Sequence, residues 1–232
     1  MKKHIYSLFD EDLKQLQSDV FNMGELVVDQ LATAVLALSR ADDNLAVKIE
    51  TTEAKINALD IKIEEACQQI LAVRQPAAID LRYILAISRM AHDLERAGDE
   101  AQKIFSLLKD TPEDYKTFQS KCLNTLSRDV ALQLKLALAA FRDESVDAAA
   151  SVIKGDKLVD QYYAENIHDT INMMQENPAG IDVFMNKIWA LRGIERMGDH
   201  AINIAEQVIY LKLGKDVRHS SEAEVAEILE NS

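Results

Sequence analysis

The sequence predicts an all-α protein made of two tandem three-helix up-down bundles, with six long helices related by an internal duplication. Apolar residues recur at alternating steps of three and four along most of the chain, which is the period of amphipathic helices packed in bundles. The 232 residues include only 7 glycines and 3 prolines, too few for the many turns of an all-β fold. A short motif that returns in the second half indicates two similar halves.

The repeated motif is Glu-Arg-x-Gly-Asp, at residues 95–99 and again at 195–199. The flanks repeat as well, since Leu94 corresponds to Ile194. Each copy places two carboxylates one helical turn apart on the same face, where like charges repel by roughly a few tenths of a kcal/mol. A cation is the simplest compensation for a repulsion that occurs in both halves.

Three helices follow from the apolar period of the first half. The first covers residues 13–38 and is broken at 42–44, where two aspartates and an asparagine follow one another. The second covers 45–73 and stops before Pro76, because a proline pushes the preceding residue out of the helical conformation. The third covers residues 80–108.

The second half begins with a helix start signal, in which Thr111 is the cap and Pro112 stands in the first turn. The fourth helix then runs to Arg142 and the fifth covers 145–176. The sixth ends at Gly214, a residue suited to a helix C-terminus. The predicted divisions of the chain are a first bundle, a second bundle and an acidic tail with at most one short helix, at residues 1–110, 111–214 and 215–232.

The composition describes a folded, acidic chain. Hydrophobic residues make up 48%, enough for a buried core, and the formal net charge is −13. Nucleic acid and anionic membrane surfaces are polyanions, so we expect neither as a partner. No apolar run is long enough to cross a bilayer, and the early acidic residues are unlike a signal peptide. With two isolated cysteines, Cys67 and Cys122, the sequence predicts a reduced, cytoplasmic protein without direct membrane insertion.

Acidic side chains on neighbouring helices should face one another in each half. Glu95 flanks the apolar seam of helix three, and Glu53 holds the matching position on helix two, which runs antiparallel to it. Helix five repeats the spacing of helix two around its own apolar seam position. The residues predicted to converge are Glu53, Asn57, Glu95 and Asp99 in the first half, and Asp156, Asp160, Glu195 and Asp199 in the second.

These two groups of residues offer oxygen ligands on rigid helices. Such ligands suit hard cations such as Mg²⁺, Mn²⁺ and Ca²⁺, or iron bridged by carboxylates. Cysteine and histidine are absent from the eight positions, which argues against a structural zinc or copper site. A solvated acidic face remains the alternative to a site for divalent or trivalent metal ions.

A carboxylate-bridged metalloenzyme of ferritin-like type is the alternative function. That fold needs Glu-x-x-His on two helices with glutamates on two more, and Glu165 and His168 supply one copy only. The sequence also lacks a glycine-rich phosphate loop and a nucleophile–base pair. We therefore predict that the protein is not an enzyme. A helical protein that binds no ligand at all stays open, and its stability would be indifferent to divalent cations.

The sequence closely resembles the PhoU family over nearly its whole length. The motifs that carry the resemblance are the duplicated Glu-Arg-x-Gly-Asp, Met-Gly-Glu-Leu-Val at 23–27, and Arg-Gln-Pro at 74–76 followed by Asp-Leu-Arg at 80–82. The resemblance implies two three-helix bundles, often paired as a homodimer, with metal clusters at the paired acidic motifs.

The resemblance also implies a function that composition could not supply. PhoU-like proteins are negative regulators of the phosphate-starvation response and of phosphate uptake. The implied partners are the ATPase subunit of the phosphate ABC transporter and the PAS domain of the phosphate sensor histidine kinase. The implied cofactors are ions of Mg, Mn or Fe at the eight residues named above. Asn57 supplies a neutral oxygen where Asp160 is charged, so the first site should hold a cation less tightly.

The resemblance also implies that Arg74, Asp80 and Arg82 tie the turn between helices two and three.

Overall fold

The chain folds almost entirely into α-helices in a computed structural model that describes residues 2–37, 43–218, 220 and 222–230. No β-strand occurs among these residues, and the all-α prediction is confirmed. The helices of the described residues are α1 (Lys2–Leu36), α2 (Asp43–Arg74), α3 (Ile79–Leu108), α4 (Glu113–Arg142), α5 (Val146–Glu176), α6 (Ile181–Leu213) and α7 (Glu222–Glu230), with a 3₁₀ turn at Pro178–Gly180.

The six long helices form the two predicted bundles. Helices α1, α2 and α3 pack on one another, and so do α4, α5 and α6. Two further contacts join the bundles, α3 on α6 and α1 on α4, and the first of these is the most extensive helix pairing among the described residues. The buried apolar side chains of both bundles therefore form one continuous core. The tandem-bundle prediction is confirmed, while the domain limit at residues 110 and 111 stays a prediction.

Helices α3 and α6 run antiparallel, and polar contacts hold their register. Asp93 Oδ1 lies 2.9 Å from His200 Nδ1 and accepts a hydrogen bond from Asn203 Nδ2 at 2.9 Å. Further along the pair, Arg196 Nη1 lies 3.1 Å from Glu100 Oε1. The antiparallel pairing places the two repeated motifs side by side in opposite directions, so that the duplication becomes an approximate twofold relation in space.

The first helix is longer than predicted. It begins at Lys2 rather than at residue 13, and Phe9 and Leu13 both pack against the core. The acidic stretch at 10–12 hides this part of the helix in the sequence, because three charges interrupt the apolar period. The predicted end at residue 38 and residue 42 of the predicted break lie outside the described residues. The rest of the predicted break is wrong, because residues 43 and 44 already form the start of α2.

The predicted start of the fourth helix is wrong by one residue. Pro112 is the cap residue of α4, and no side chain caps this end. Thr111 instead belongs to the turn that closes α3, since its N–H donates to the carbonyl of Leu108 at 3.1 Å and its side chain is buried. The remaining predicted helix ends that fall within the described residues lie within two residues of the observed ends. Ser145 caps α5 by accepting a hydrogen bond from the N–H of Ala148 at 3.2 Å.

One of the three residues predicted to tie the turn between α2 and α3, Arg74, binds elsewhere. Gln75 and Ala78 bracket Pro76 with φ angles of 50° and 51°, a region that residues other than glycine adopt at a cost. Arg74 does not bridge this turn, because its Nη2 lies 3.0 Å from Asp12 Oδ2 on α1. The arginine thus ties α2 to the first helix of its own bundle.

After α6 the chain turns back along the helix that it has just left. Gly214 adopts a left-handed φ of 68° at the end of α6. Val217 is only 1% exposed, and Arg218 Nε donates to Asp216 Oδ1 at 2.9 Å. Burial raises the pKa of Glu206 on α6 to about 7; the Asp216 carboxylate raises it as well and the Arg218 guanidinium lowers it.

The raised pKa of Glu206 predicts a pH dependence of stability. The folded state holds the Glu206 proton up to about pH 7, whereas the unfolded chain loses it near the ordinary value of 4.5. The free energy of unfolding should therefore fall as the pH rises between these values. Asp216 and Asp93 face the same carboxyl group and add to the effect, and Arg218 opposes it.

The substitution Glu206→Gln should remove this part of the pH dependence, because glutamine imitates the protonated carboxyl. Urea denaturation of both proteins across the interval measures it. The variant should match the parent at acidic pH and exceed it above neutrality; equal slopes for the two proteins would contradict the prediction.

A glycine marks the close approach of α1 to α4 between the bundles. A Cβ added at Gly24 would lie 2.3 Å from Cδ1 of the buried Leu138, whereas one added at Gly155 on α5 would meet nothing within 4 Å. We expect Gly24→Val to lower the free energy of unfolding by about 1–3 kcal/mol through overpacking. Gly155→Val, the same change at an exposed helical glycine, should stay within about 0.5 kcal/mol of the parent. Thermal unfolding followed by circular dichroism tests both, and equal effects would contradict the packing argument.

Candidate functional site

The four residues predicted for the first half come together in the groove between α2 and α3, and we call them the first cluster: Glu53, Asn57, Glu95 and Asp99. The Glu53 side chain interacts with those of both Asn57 and Asp99. Burial raises the pKa of Glu53, and so does the nearby Asp99 carboxylate. Burial also raises the pKa of Glu95, with further increases from Asp99 and Glu53. Gly98 leaves room for this approach, because a Cβ there would lie 3.2 Å from Ile56 Cδ1 and 3.6 Å from Glu53 Oε2.

The four residues predicted for the second half also come together, between α5 and α6, and form the second cluster: Asp156, Asp160, Glu195 and Asp199. Burial raises the pKa of Glu195 to about 7. The Asp199 carboxylate raises it further, followed by Asp160 and Asp156, and the Arg192 guanidinium lowers it. The predicted convergence of acidic residues is therefore present in both halves. Their role as metal ligands stays a prediction.

A third helix contributes to each cluster through a glutamine that the sequence analysis did not select. Gln30 on α1 is fully buried and donates from Nε2 to Glu53 Oε2 at 2.7 Å. Gln133 on α4 is 6% exposed and donates from Nε2 to Asp156 Oδ1 at 3.2 Å. Each glutamine precedes its carboxylate partner by 23 residues, so the duplication includes these positions too. This common spacing was the only sequence signal that could have identified the two glutamines. The signal is weak, because a single glutamine in an otherwise apolar helix face is an ordinary polar interruption.

Buried oxygen atoms without hydrogen-bond donors are concentrated at the clusters. Among the described residues, four buried side-chain polar atoms have no partner, and three of them are Gln30 Oε1, Gln133 Oε1 and Glu195 Oε2. A buried acceptor without a donor costs about 1–3 kcal/mol. The clusters thus contain more acceptors than the protein supplies donors for, and a cation would correct this excess.

The donor set fits a hard cation, although the side chains do not yet surround one. In the described part of the chain, no three Asp, Glu, His or Cys side chains are arranged as a finished metal site. Each cluster nevertheless gathers carboxylate and amide oxygens, the ligands that Mg²⁺ and Mn²⁺ prefer. Rotation of the glutamine amide would turn its unpartnered oxygen towards the carboxylates, an arrangement that repels unless a cation lies between them.

The two clusters differ in their positive neighbours. Arg192 Nη1 donates to Glu195 Oε1 at 2.8 Å in the second cluster. The corresponding position of the first half is His92, whose charge lowers the pKa of Glu95. Asp60 on α2, another residue that the sequence analysis did not select, raises the pKa of Glu95. The first cluster therefore has an additional acidic neighbour and lacks the guanidinium of the second.

The residues of the ferritin-like alternative lie apart from the clusters. Glu165 and His168 are both exposed on α5, and Glu165 Oε1 accepts a hydrogen bond from Gln161 Nε2 at 2.8 Å on the same helix. A di-iron site of ferritin-like type needs these side chains to project into the bundle core, which the two exposed residues do not do.

The fold and its paired acidic grooves define a duplicated helical-bundle protein with two candidate metal sites. The PhoU domain family matches residues 20–108 and 123–208, one match in each half. The chain belongs to the PhoU family, as the sequence resemblance predicted. This is a family of accessory and regulatory proteins, and the prediction that the chain is not an enzyme is confirmed on that basis.

Individual relatives are similar over nearly their whole length. The phosphate-specific transport system accessory protein PhoU homolog of Pseudomonas aeruginosa is 40% identical, over 99% of this chain and 95% of that protein. The phosphate-specific transport system accessory protein PhoU of Escherichia coli is 33% identical, over 99% of this chain and 95% of that protein.

Solved structures agree in fold. The crystal structure of PhoU from Pseudomonas aeruginosa has a TM-score of 0.81 at 39% identity and covers 89% of this chain and 100% of its own. That of the phosphate transport system regulatory protein PhoU from Streptococcus pneumoniae has a TM-score of 0.83 at 28% identity, covering 90% of this chain and 99% of its own.

The difference between Asn57 and Asp160 predicts unequal cation binding. Asp160→Asn removes a charge from the second cluster, and we expect its affinity for Mn²⁺ to fall about tenfold, equivalent to about 1.4 kcal/mol. Asn57→Asp adds the missing charge to the first cluster and should raise its affinity by a similar factor. Calorimetric titration of each variant with Mn²⁺ measures both changes. Two variants with the parent's affinities would contradict the assignment of these positions as ligands.

Proposed function

We propose that the protein is an accessory protein of a phosphate-specific transport system and acts as a negative regulator of the phosphate-starvation response and of phosphate uptake. It links the ATPase subunit of the phosphate ABC transporter to the PAS domain of the sensor histidine kinase. The observation that carries this proposal is the similarity to PhoU accessory proteins, at 40% identity over almost the full length of both chains. Similarity over the whole of both chains favours a shared role more than a shared domain would.

The clusters fit an adaptor better than a catalyst. Their acidic groups lie in grooves between two helices, with Asn57 and Asp160 exposed at the rim and the glutamine side chains buried at the base. A bound ion of Mg, Mn or Fe would neutralise the repelling carboxylates. Gln30 and Gln133 would stand next to it, able to offer their unpartnered oxygens. The result is a pair of helices held at a fixed spacing, which suits a surface that other proteins recognise.

The proposal places the protein in the cytoplasm as a homodimer. The net charge of −13 suits a protein that remains dissolved and avoids other polyanions. No helix of the described chain combines the length and the apolar character needed to cross a bilayer. Contact with the transporter would therefore be made through its ATPase subunit.

A binding experiment with purified components tests the adaptor role and the metal role separately. The protein is immobilised and presented with the transporter ATPase or the kinase PAS domain, with Mn²⁺ or with EDTA. We expect both partners to bind, and we expect EDTA to weaken binding. Absence of binding under both conditions would overturn the adaptor proposal.

Two matched variants locate the effect of metal. Glu195→Ala with Asp199→Ala removes a Glu-x-x-x-Asp pair from the second cluster. Glu165→Ala with Asp169→Ala removes a pair of the same spacing from an exposed face of α5. We expect only the first variant to reproduce the effect of EDTA, with the helical circular dichroism signal of both unchanged. Equal loss in both variants would assign the effect to overall charge, and loss of helicity in the first would make its acids structural.

The regulatory role predicts a phenotype. Deletion of the gene should raise expression of phosphate-starvation genes in phosphate-rich medium, measured by a transcriptional reporter. Restoration by the parent protein serves as the control, and unchanged expression in the deletion strain would count against the assignment.

A further inference from the structure

Two clefts lie along the antiparallel α3–α6 pair, and the duplication relates them. The first cleft, of about 480 Å³, is lined by the N-terminal half of α3 and the C-terminal half of α6, and includes Arg89 and Arg218. The second cleft, of about 740 Å³, is lined by the C-terminal half of α3 and the N-terminal half of α6, and includes Trp189 and Arg192. Arg89 and Trp189 are equivalent positions in the alignment of the two repeated motifs.

The chain partly covers the first cleft with its own tail. Val217 is buried in the continuous core, and Arg218 reaches into the wall of the cleft. The neighbouring Asp216 lies close enough to Arg89 for the guanidinium to help lower the pKa of this carboxyl to about 2, after the larger effect of Arg218. The tail residue that lines the cleft is therefore Arg218, which is held by its hydrogen bonds to Asp216.

The equivalent cleft has no such cover in the part of the chain that the structure describes. Trp189, the sole tryptophan of the sequence, is 58% exposed at its edge. Ile181 and Met185 precede it at steps of four residues, and they too are exposed, so all three lie on one face of α6. Exposed rows of large apolar side chains rimmed by polar residues mark interaction surfaces.

The same cleft is basic on an acidic protein. Lys103, Arg192 and Arg196 line it with side chains 61%, 48% and 40% exposed. The one carboxylate that lines it, Glu100, is only 8% exposed and already pairs with two of these cations. Arg192 also pairs with Glu195, so these three cations share two carboxylates and leave an excess of one positive charge on a chain whose net charge is −13. Tryptophan and arginine are also the residues most enriched at binding hot spots.

We propose that the second cleft binds an acidic segment of a partner protein, which packs an apolar side chain on Trp189 and presents carboxylates to the surrounding cations. A small anion would leave the apolar row exposed, and a nucleic acid would be repelled by the rest of the acidic surface. The inference concerns the chemistry of the segment and does not require the partner to be the transporter ATPase or the kinase.

The sole tryptophan makes the test specific, because fluorescence excited at a wavelength that the 6 tyrosines do not absorb comes from this cleft alone. The probe is a synthetic tryptophan-free amphipathic helix with leucines on one face and glutamates on the other. We expect a saturable blue shift of Trp189 emission that weakens as salt is added. The same peptide with lysine in place of glutamate, and a single-stranded oligonucleotide, should produce no shift. A shift with either control, or none with the acidic peptide, would overturn the proposal.

Two charge reversals of equal size provide the matched control. Lys103→Glu places a negative charge in the cleft, whereas Lys154→Glu places one on an exposed face of α5. We expect the first to weaken the peptide about tenfold or more, as about 1.4 kcal/mol would, and the second to change it less than about threefold. Trp189→Ala, followed by anisotropy of a labelled peptide, should also lose about tenfold. Equal effects of the two reversals would overturn the proposal.

The same variants separate this inference from the proposed function. If the transporter ATPase or the PAS domain binds the immobilised protein but the acidic peptide leaves Trp189 emission unchanged, the adaptor role stands and the cleft assignment fails. If the peptide binds as expected and neither protein does, the cleft assignment stands and the adaptor role fails.

Discussion

Helices α3 and α6 lie side by side along the middle of the molecule, and their contact positions almost everything else. Asp93 accepts a hydrogen bond from Asn203, and Arg196 pairs with a glutamate that is almost completely buried. Charge pairs with a desolvated partner contribute little net stability, but a shifted register would take Arg196 away from the buried Glu100, which would keep only Lys103 of its own helix among its described partners. The pair is therefore held in one register. Because each of the two helices also belongs to its own bundle, the sides turned away from the contact carry the acidic motifs outward, towards α2 in one half and α5 in the other.

Because of the duplication, the two bundles have the same helix arrangement but carry different side chains at equivalent positions. Equivalent positions carry Asn57 and Asp160 at the rim of the clusters, and His92 and Arg192 beside them. The helices that hold these residues are arranged alike, so each difference can be compared as if it were a substitution at one position. Compared with the first half, the second half carries more negative charge at the rim of its cluster and a guanidinium next to it. This separation of charge over a short distance is stronger there than in the first half, and it borders the cleft that contains Trp189.

Features that lie inside one half of the chain could be predicted from the sequence, whereas features that lie between the halves could not. The period of three and four residues determines which face each helix buries, and Glu53 and Glu95 could be brought together on that basis alone. Gln30 could not, because one glutamine in an apolar period has the same appearance as any polar interruption, and only comparison with Gln133 distinguishes it. The start of α4 was misplaced because Thr111 is a good cap by residue type but is used to close the preceding helix. The clefts could not be predicted, because they depend on how α3 packs on α6. No residue spacing within one half specifies that packing.

The continuous core has a consequence for the origin of this fold. A single half, ending where α3 ends, would leave uncovered the apolar face that α6 now buries, including Ile104 opposite Gly193. Such a polypeptide could bury that face by pairing with a second copy of itself through antiparallel α3 helices, which is the isologous geometry of a twofold dimer. The present chain has the form that this dimer would take after its two subunits had been joined end to end by a short connection. Such a fusion would leave each half free to diverge while the antiparallel interface is kept.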